Sequence, residues 1–114
     1  MSTQNNHINY IEFKAKDLER VKLFYHKAFN WKFTDYGPTY ISFENSGIAG
    51  GFEKTDDKII NSVLVILYHS NLFEIKAKII DAGGKITEDI FSFPGGQRFH
   101  FQDPLGNELA VWSE

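Results

Sequence analysis

The feature that most restricts the fold is an internal repeat. Two segments flanking a polar stretch share one order of elements, and they align without a gap through the first strand and helix. Phe13 corresponds to Leu67, Asp17 to Asn71, Leu18 to Leu72, Val21 to Ile75, Tyr25 to Ile79 and Ala28 to Ala82. Matches held in a single register point to a duplicated β-α-β-β-β unit. The first module is read over residues 8–53, a linker over 54–61 and the second module over 62–113. The linker is the most polar and least periodic segment, centred on Thr55-Asp56-Asp57-Lys58.

Each module is built from local signals. Ile8 to Lys14 alternates Ile11 and Phe13 with Tyr10 and Glu12, which is the pattern of a strand with two distinct faces. Asp17 is placed to cap a helix whose apolar stripe is Leu18, Val21, Phe24, Tyr25, Ala28 and Phe29. Strands are expected over Trp31–Tyr36, Thr39–Glu44 and Gly47–Glu53, with turns at Gly37-Pro38 and Asn45-Ser46-Gly47. The second module opens with a strand over Val63–Tyr68. Asn71 caps a helix carrying Leu72, Ile75, Ile79 and Ala82, which Gly83-Gly84 ends. Strands over Lys85–Phe91, Gly96–Gln102 and Asn107–Ser113 complete it. The glycine pairs at 50–51, 83–84 and 95–96 read as turn and bulge chemistry rather than phosphate cradles, since none precedes Lys-Ser/Thr.

Composition narrows the function. With 114 residues the chain is sized for one domain. A net charge of -3 with no basic run argues against nucleic acid, because phosphate contacts need clustered Lys and Arg. The absence of cysteine removes disulfides, thiol nucleophiles and thiolate metal sites together, and it suits a cytoplasmic protein. The longest apolar run, Val63 to Leu67, is too short for a membrane-spanning helix, and the polar N-terminus is no signal peptide. Aromatic residues make up 16% of the chain, enough for an aromatic-lined cavity as well as a core.

Specific residues then suggest a family. Lys16-Asp17-Leu18-Glu19-Arg20, followed by Phe24-Tyr25 and Phe29-Asn30-Trp31, resembles the opening of the vicinal oxygen chelate superfamily. That is the glyoxalase, bleomycin-resistance and extradiol-dioxygenase group. Phe101-Gln102-Asp103-Pro104-Leu105-Gly106-Asn107-Glu108-Leu109 is similar to its closing hairpin, and Ala82-Gly83-Gly84-Lys85-Ile86 to the end of its second helix. The small branch related to lactoylglutathione lyase is the nearest likeness. The resemblance implies an α+β fold: two modules forming a curled eight-stranded mixed sheet, a cup with helices on its convex face. It also implies a homodimer.

The same resemblance implies where a metal would sit. Metal-dependent members place His, Glu or Gln on the first and last strands of each module. Counting from Asp17-Leu18, Asn71-Leu72 and Asp103-Pro104 puts these positions at Tyr10, Leu64 and Ala110, with the fourth near Gly50 or Gly51. A divalent ion needs several oxygen or imidazole donors converging on it. Leucine, alanine and glycine side chains supply none, so no metal is expected. A divalent metal remains the alternative.

Strand parity supplies the expected lining of the cup. If Ile11 and Phe13 pack on the helix, then Tyr10 and Glu12 face inward, with Tyr40, Ser42, Tyr68, Arg98, His100, Gln102, Glu108 and Trp112. Aromatic walls with a few polar groups suit a small organic ligand. His100 and Glu12 are the candidates for acid–base work. The plainer readings stand beside this one: a solvated His100, a Glu12–Arg98 ion pair, and Tyr10 and Trp112 in a core or dimer interface. His7, His26 and His69 read as surface residues. The expected function is a metal-free small-molecule binding protein. The alternatives are a lyase, isomerase or dioxygenase acting on a small oxygenated metabolite, and a purely protein-binding module.

Overall fold

The computed structural model describes residues 3–59 and 63–114, so the linker expected over 54–61 lies partly outside the described residues. The elements in chain order are β1 (Ile8–Ala15), α1 (Leu18–Phe29), β2 (Lys32–Asp35), β3 (Tyr40–Glu44), β4 (Gly50–Lys54), β5 (Leu64–Tyr68), α2 (Leu72–Asp81), β6 (Lys85–Phe93), β7 (Gly96–Gln102) and β8 (Glu108–Ser113). The expected α+β class is observed, with strands and helices within a residue or two of most expected bounds. The chain divides into two compact units, Tyr10–Val63 and a second that joins Leu64–Glu114 to the residues up to Asn9. The N-terminal segment is held to the second unit by backbone bonds. Asn6 N–H donates to the Tyr68 carbonyl at 2.8 Å, and Tyr68 N–H donates to the His7 carbonyl at 3.0 Å.

The repeat is topological as well as sequential. In the first unit the strand order is β2-β3-β4-β1, with β1 parallel to β4 and the other pairs antiparallel. In the second unit it is β6-β7-β8-β5, with β5 parallel to β8 and the other pairs antiparallel. Both helices start alike. The Asp17 side chain accepts from Arg20 N–H at 3.2 Å, and the Asn71 side chain accepts from Glu74 N–H at 3.1 Å. Each satisfies an amide of the first turn that has no partner within the helix. α1 ends at Asn30, whose left-handed φ of 61° turns the chain toward β2. An ion pair also repeats in register: Lys22 to Asp35 at 3.0 Å in the first unit and Lys76 to Asp89 at 2.6 Å in the second, each tying the helix to the strand that follows it.

Each helix covers one face of the strands in its own unit. In the first unit Ala15, Leu18, Ile41, Phe43 and Phe52 form the buried centre, with Phe13, Val21 and Tyr25 packed against it. In the second unit the centre is Leu72, Phe99 and Val111, flanked by Ile75, Ile79, Ile86, Ile90 and Phe101. Apolar burial of this kind stabilises by about 25 cal/mol per Å². It leaves the opposite face of each unit's strands to the polar and aromatic residues.

Two residue-level expectations fail in the structure. His69 is buried, not a surface residue, at 4% exposure. Its Nδ1 accepts the Asn71 N–H at 2.9 Å, so it serves the start of α2. The Gly50-Gly51 pair is not a turn or bulge. It opens β4 and is buried there, because side chains of β3 lie across it.

Candidate functional site

In the first unit, the face turned away from α1 carries Tyr10 and Glu12 from β1 and Tyr40 and Ser42 from β3, as alternation required. Glu12 is buried, at 6% exposure. The Tyr40 hydroxyl donates to Glu12 Oε1 at 3.2 Å, and the Tyr10 and Tyr40 hydroxyls lie 2.6 Å apart. Tyr40 has one proton and gives it to the carboxylate, so Tyr10 is the donor to Tyr40. Burial, reinforced by the Glu12 charge and then by the bond to Tyr10, pushes the Tyr40 phenol far above its ordinary range. Tyr40 therefore stays neutral and stays a donor.

A test follows from that shift. Tyr40 is expected to ionise only as the protein unfolds in alkali, well above the ordinary phenol value near pH ~10. The unfolded chain releases this proton near pH ~10 and the folded chain does not. The stabilisation is therefore complete below that pH and declines as pH rises above it. Ultraviolet titration of the phenolate band in wild type and Tyr40→Phe measures this. A wild-type curve with no late-ionising tyrosine would contradict the network.

In the second unit, the face turned away from α2 carries Tyr68 from β5, Arg98, His100 and Gln102 from β7, and Glu108 and Trp112 from β8. Ile66 and Ala110, paired across β5 and β8, form an apolar floor at 3% and 0% exposure. Trp112 meets the Tyr68 ring edge-on at 5.3 Å, and its indole N–H donates to Asn9 Oδ1 at 3.1 Å. Tyr68 donates to Glu114 Oε1 at 2.7 Å, and that bond, with burial second, raises its phenol above the ordinary value. The Arg98 guanidinium lies over the Phe91 ring at 5.4 Å and the Phe93 ring at 5.8 Å. His100 Nδ1 lies 3.1 Å from Glu108 Oε2.

The ten residues expected on the inward faces are thus found on the faces turned away from the helices, four in the first unit and six in the second. Sequence alternation missed Glu88, Phe91 and Phe93. Register shifts between Ile86 and Glu88 and between Glu88 and Phe91 rotate β6. Bulges of this kind send Glu88 and the two phenylalanines to the His100 side, while Ile86 and Ile90 keep the α2 side. The only sequence signal is that Phe91 and Phe93 break the parity set by Ile86 and Ile90.

The family resemblance places metal donors at four positions. Pairing of Glu12 with Gly51 and of Ile66 with Ala110 makes Gly51 the counterpart of Ala110, which decides between Gly50 and Gly51. Tyr10 holds a hydroxyl bonded to Tyr40, and Leu64, Ala110 and Gly51 hold no donor atom in their side chains. A Cβ at Gly51 would fall on the Tyr40 hydroxyl, so this position lacks room as well as a donor. The donor set does not fit a divalent ion at these positions. Among the described residues, no three His, Asp or Glu side chains cluster as an ion would need.

The family model for the Glyoxalase/Bleomycin resistance protein/Dioxygenase superfamily matches residues 7–111. The chain belongs to this superfamily. Solved structures of similar fold include a hypothetical protein from Bacillus halodurans, at 10% identity, with 97% of this chain and 96% of that one covered and a TM-score of 0.77. Methylmalonyl-CoA epimerase from Streptomyces coelicolor is similar at 12% identity, covering 97% and 99%, with a TM-score of 0.74. The Mn(II)-bound glyoxalase from Novosphingobium aromaticivorans matches at 20% identity over 98% of this chain but 40% of its own, with a TM-score of 0.70. At these identities the likeness is one of fold. Comparison with curated protein sequences gives no significant match. Among the described residues of this superfamily member, no helix is long and apolar enough to cross a membrane.

Proposed function

We propose that this superfamily member binds a small organic molecule and does so without the metal of its metal-dependent relatives. The observation that carries the reading is the second unit's face away from α2. There the apolar floor of Ile66 and Ala110 is bordered by Arg98, His100 and Trp112. A few polar groups beside aromatic and apolar surface are what fixes the orientation of a small ligand. Ala110, one of the family's donor positions, belongs to that apolar floor, where a methyl group stands in place of a coordinating side chain. The homodimer and cytoplasmic location suggested by the sequence are part of this proposal.

Equilibrium dialysis against small organic acids, other metabolites and antibiotic-like compounds tests it. At least one class is expected to be retained, equally with and without EDTA. Protein purified without chelator and without a metal-affinity tag is expected to hold far less than one ion per chain. Stoichiometric Mn, Zn, Ni or Fe in that preparation overturns the metal-free reading.

One observation favours a second reading, an isomerase or lyase acting on a small oxygenated substrate. The His100–Glu108 pair at 3.1 Å is an arrangement able to present an imidazole as a base. The fold is shared with an epimerase, which makes proton transfer beside a carbonyl the natural class to assay. Turnover of an oxygenated compound identified by dialysis would move the assignment from binding protein to enzyme.

A further inference from the structure

His100 Nε2 is buried and, among the described residues, has no hydrogen-bond partner. Buried polar atoms in folded proteins are nearly always paired, so an unpaired one needs a reason. The groups around this ring come from three strands. Glu108 on β8 contacts Nδ1 at 3.1 Å. Glu88 on β6 lies 4.0 Å from Nε2, beyond hydrogen-bonding reach. Arg98 lies two residues earlier on β7 and projects from the same face. The Phe91 ring is 5.8 Å from the imidazole.

A carboxylate can only accept, so a neutral imidazole bonded to Glu108 carries its hydrogen on Nδ1. Nε2 is then a bare lone pair. We propose that Glu108 is a positioning residue: it holds neutral His100 in the Nδ1–H form, so that Nε2 accepts a hydrogen bond from a hydroxyl or N–H of the bound small molecule. The ligand class is thereby narrowed to compounds with such a donor. That half rests on the small-molecule reading above; the tautomer does not.

Long-range ¹H–¹⁵N spectra of histidine-labelled protein, recorded with the imidazole in its neutral form, read the tautomer without any ligand. Wild type is expected to show a protonated Nδ1 and a bare Nε2. Glu108→Ala is expected to lower the ratio of Nδ1–H to Nε2–H by about tenfold or more, the scale on which a charge-assisted hydrogen bond acts. Glu88→Gln is expected to leave the ratio unchanged. A protonated Nε2 in wild type, or an unchanged ratio in Glu108→Ala, overturns the assignment; should that variant fail to fold, the wild-type spectrum alone decides. A compound retained in dialysis is expected to shift the Nε2 resonance, and one that is retained without moving it overturns the ligand half. Failure of the small-molecule reading is separate and shows as no retention of any compound.

Discussion

Phe99→Ala is expected to cost about 3–5 kcal/mol of folding stability, the range for deleting a fully buried phenylalanine ring. Phe99 is at 0% exposure and packs with Leu72 and Val111 at the centre of the second unit. Its neighbours there come from α2, β6 and β8, so no single side chain can relax into the space left behind. A domain of this size has a total stability of about 5–15 kcal/mol, so the loss would leave little margin. The effect extends to the candidate site, because Phe99 anchors β7 between Arg98 and His100. Urea denaturation followed by circular dichroism measures it, with the midpoint falling and the slope unchanged. A loss under about 1 kcal/mol would mean that the ring is not packed as described.

Gly51→Glu places a carboxylate where a metal-dependent relative would have a ligand, and it is expected to destabilise the protein instead of creating a metal site. A Cβ at Gly51 meets the Tyr40 hydroxyl and, 2.7 Å away, the backbone carbonyl of Ile41. The carbonyl belongs to the β3–β4 ladder and cannot give way. The tyrosine can move only by breaking its bonds to Glu12 and Tyr10. Overpacking costs about 1–3 kcal/mol. Leaving the buried Glu12 carboxylate without the Tyr40 donor adds about 1.5–3 kcal/mol, the scale of a hydrogen bond to a charged group. Thermal unfolding with and without added Mn²⁺ or Zn²⁺ checks both parts. A variant as stable as wild type, or one that either ion stabilises substantially, would refute this account of why the position is glycine.

Much of the scaffold was legible because its causes are local. Asp17 and Asn71 could be read as caps from their place before an apolar stripe, and both accept the expected amide. The faces of β1, β3, β7 and β8 followed from alternation, which put Tyr10, Glu12, Tyr40, Arg98 and His100 on the correct side. The failures also have causes. His69 sits beside a cap, and nothing local says that the Asn71 amide will bond to it and bury it. Gly50-Gly51 resembles a turn in one dimension. Its reason lies on the neighbouring strand, where Phe43 and Tyr40 occupy the space a side chain would need.

The chain by itself determined the duplicated order of elements, the helix limits and the division of each strand into a helix side and a far side. Those depend on periodicity and on capping within a few residues, which are properties of a short segment. Tertiary structure alone decided that Glu88 and the two phenylalanines of β6 join His100, that Glu108 meets its Nδ1 and that Tyr40 closes over Gly51. Bulges, strand register and contacts between strands are settled by packing among segments distant in sequence, and no local pattern records them.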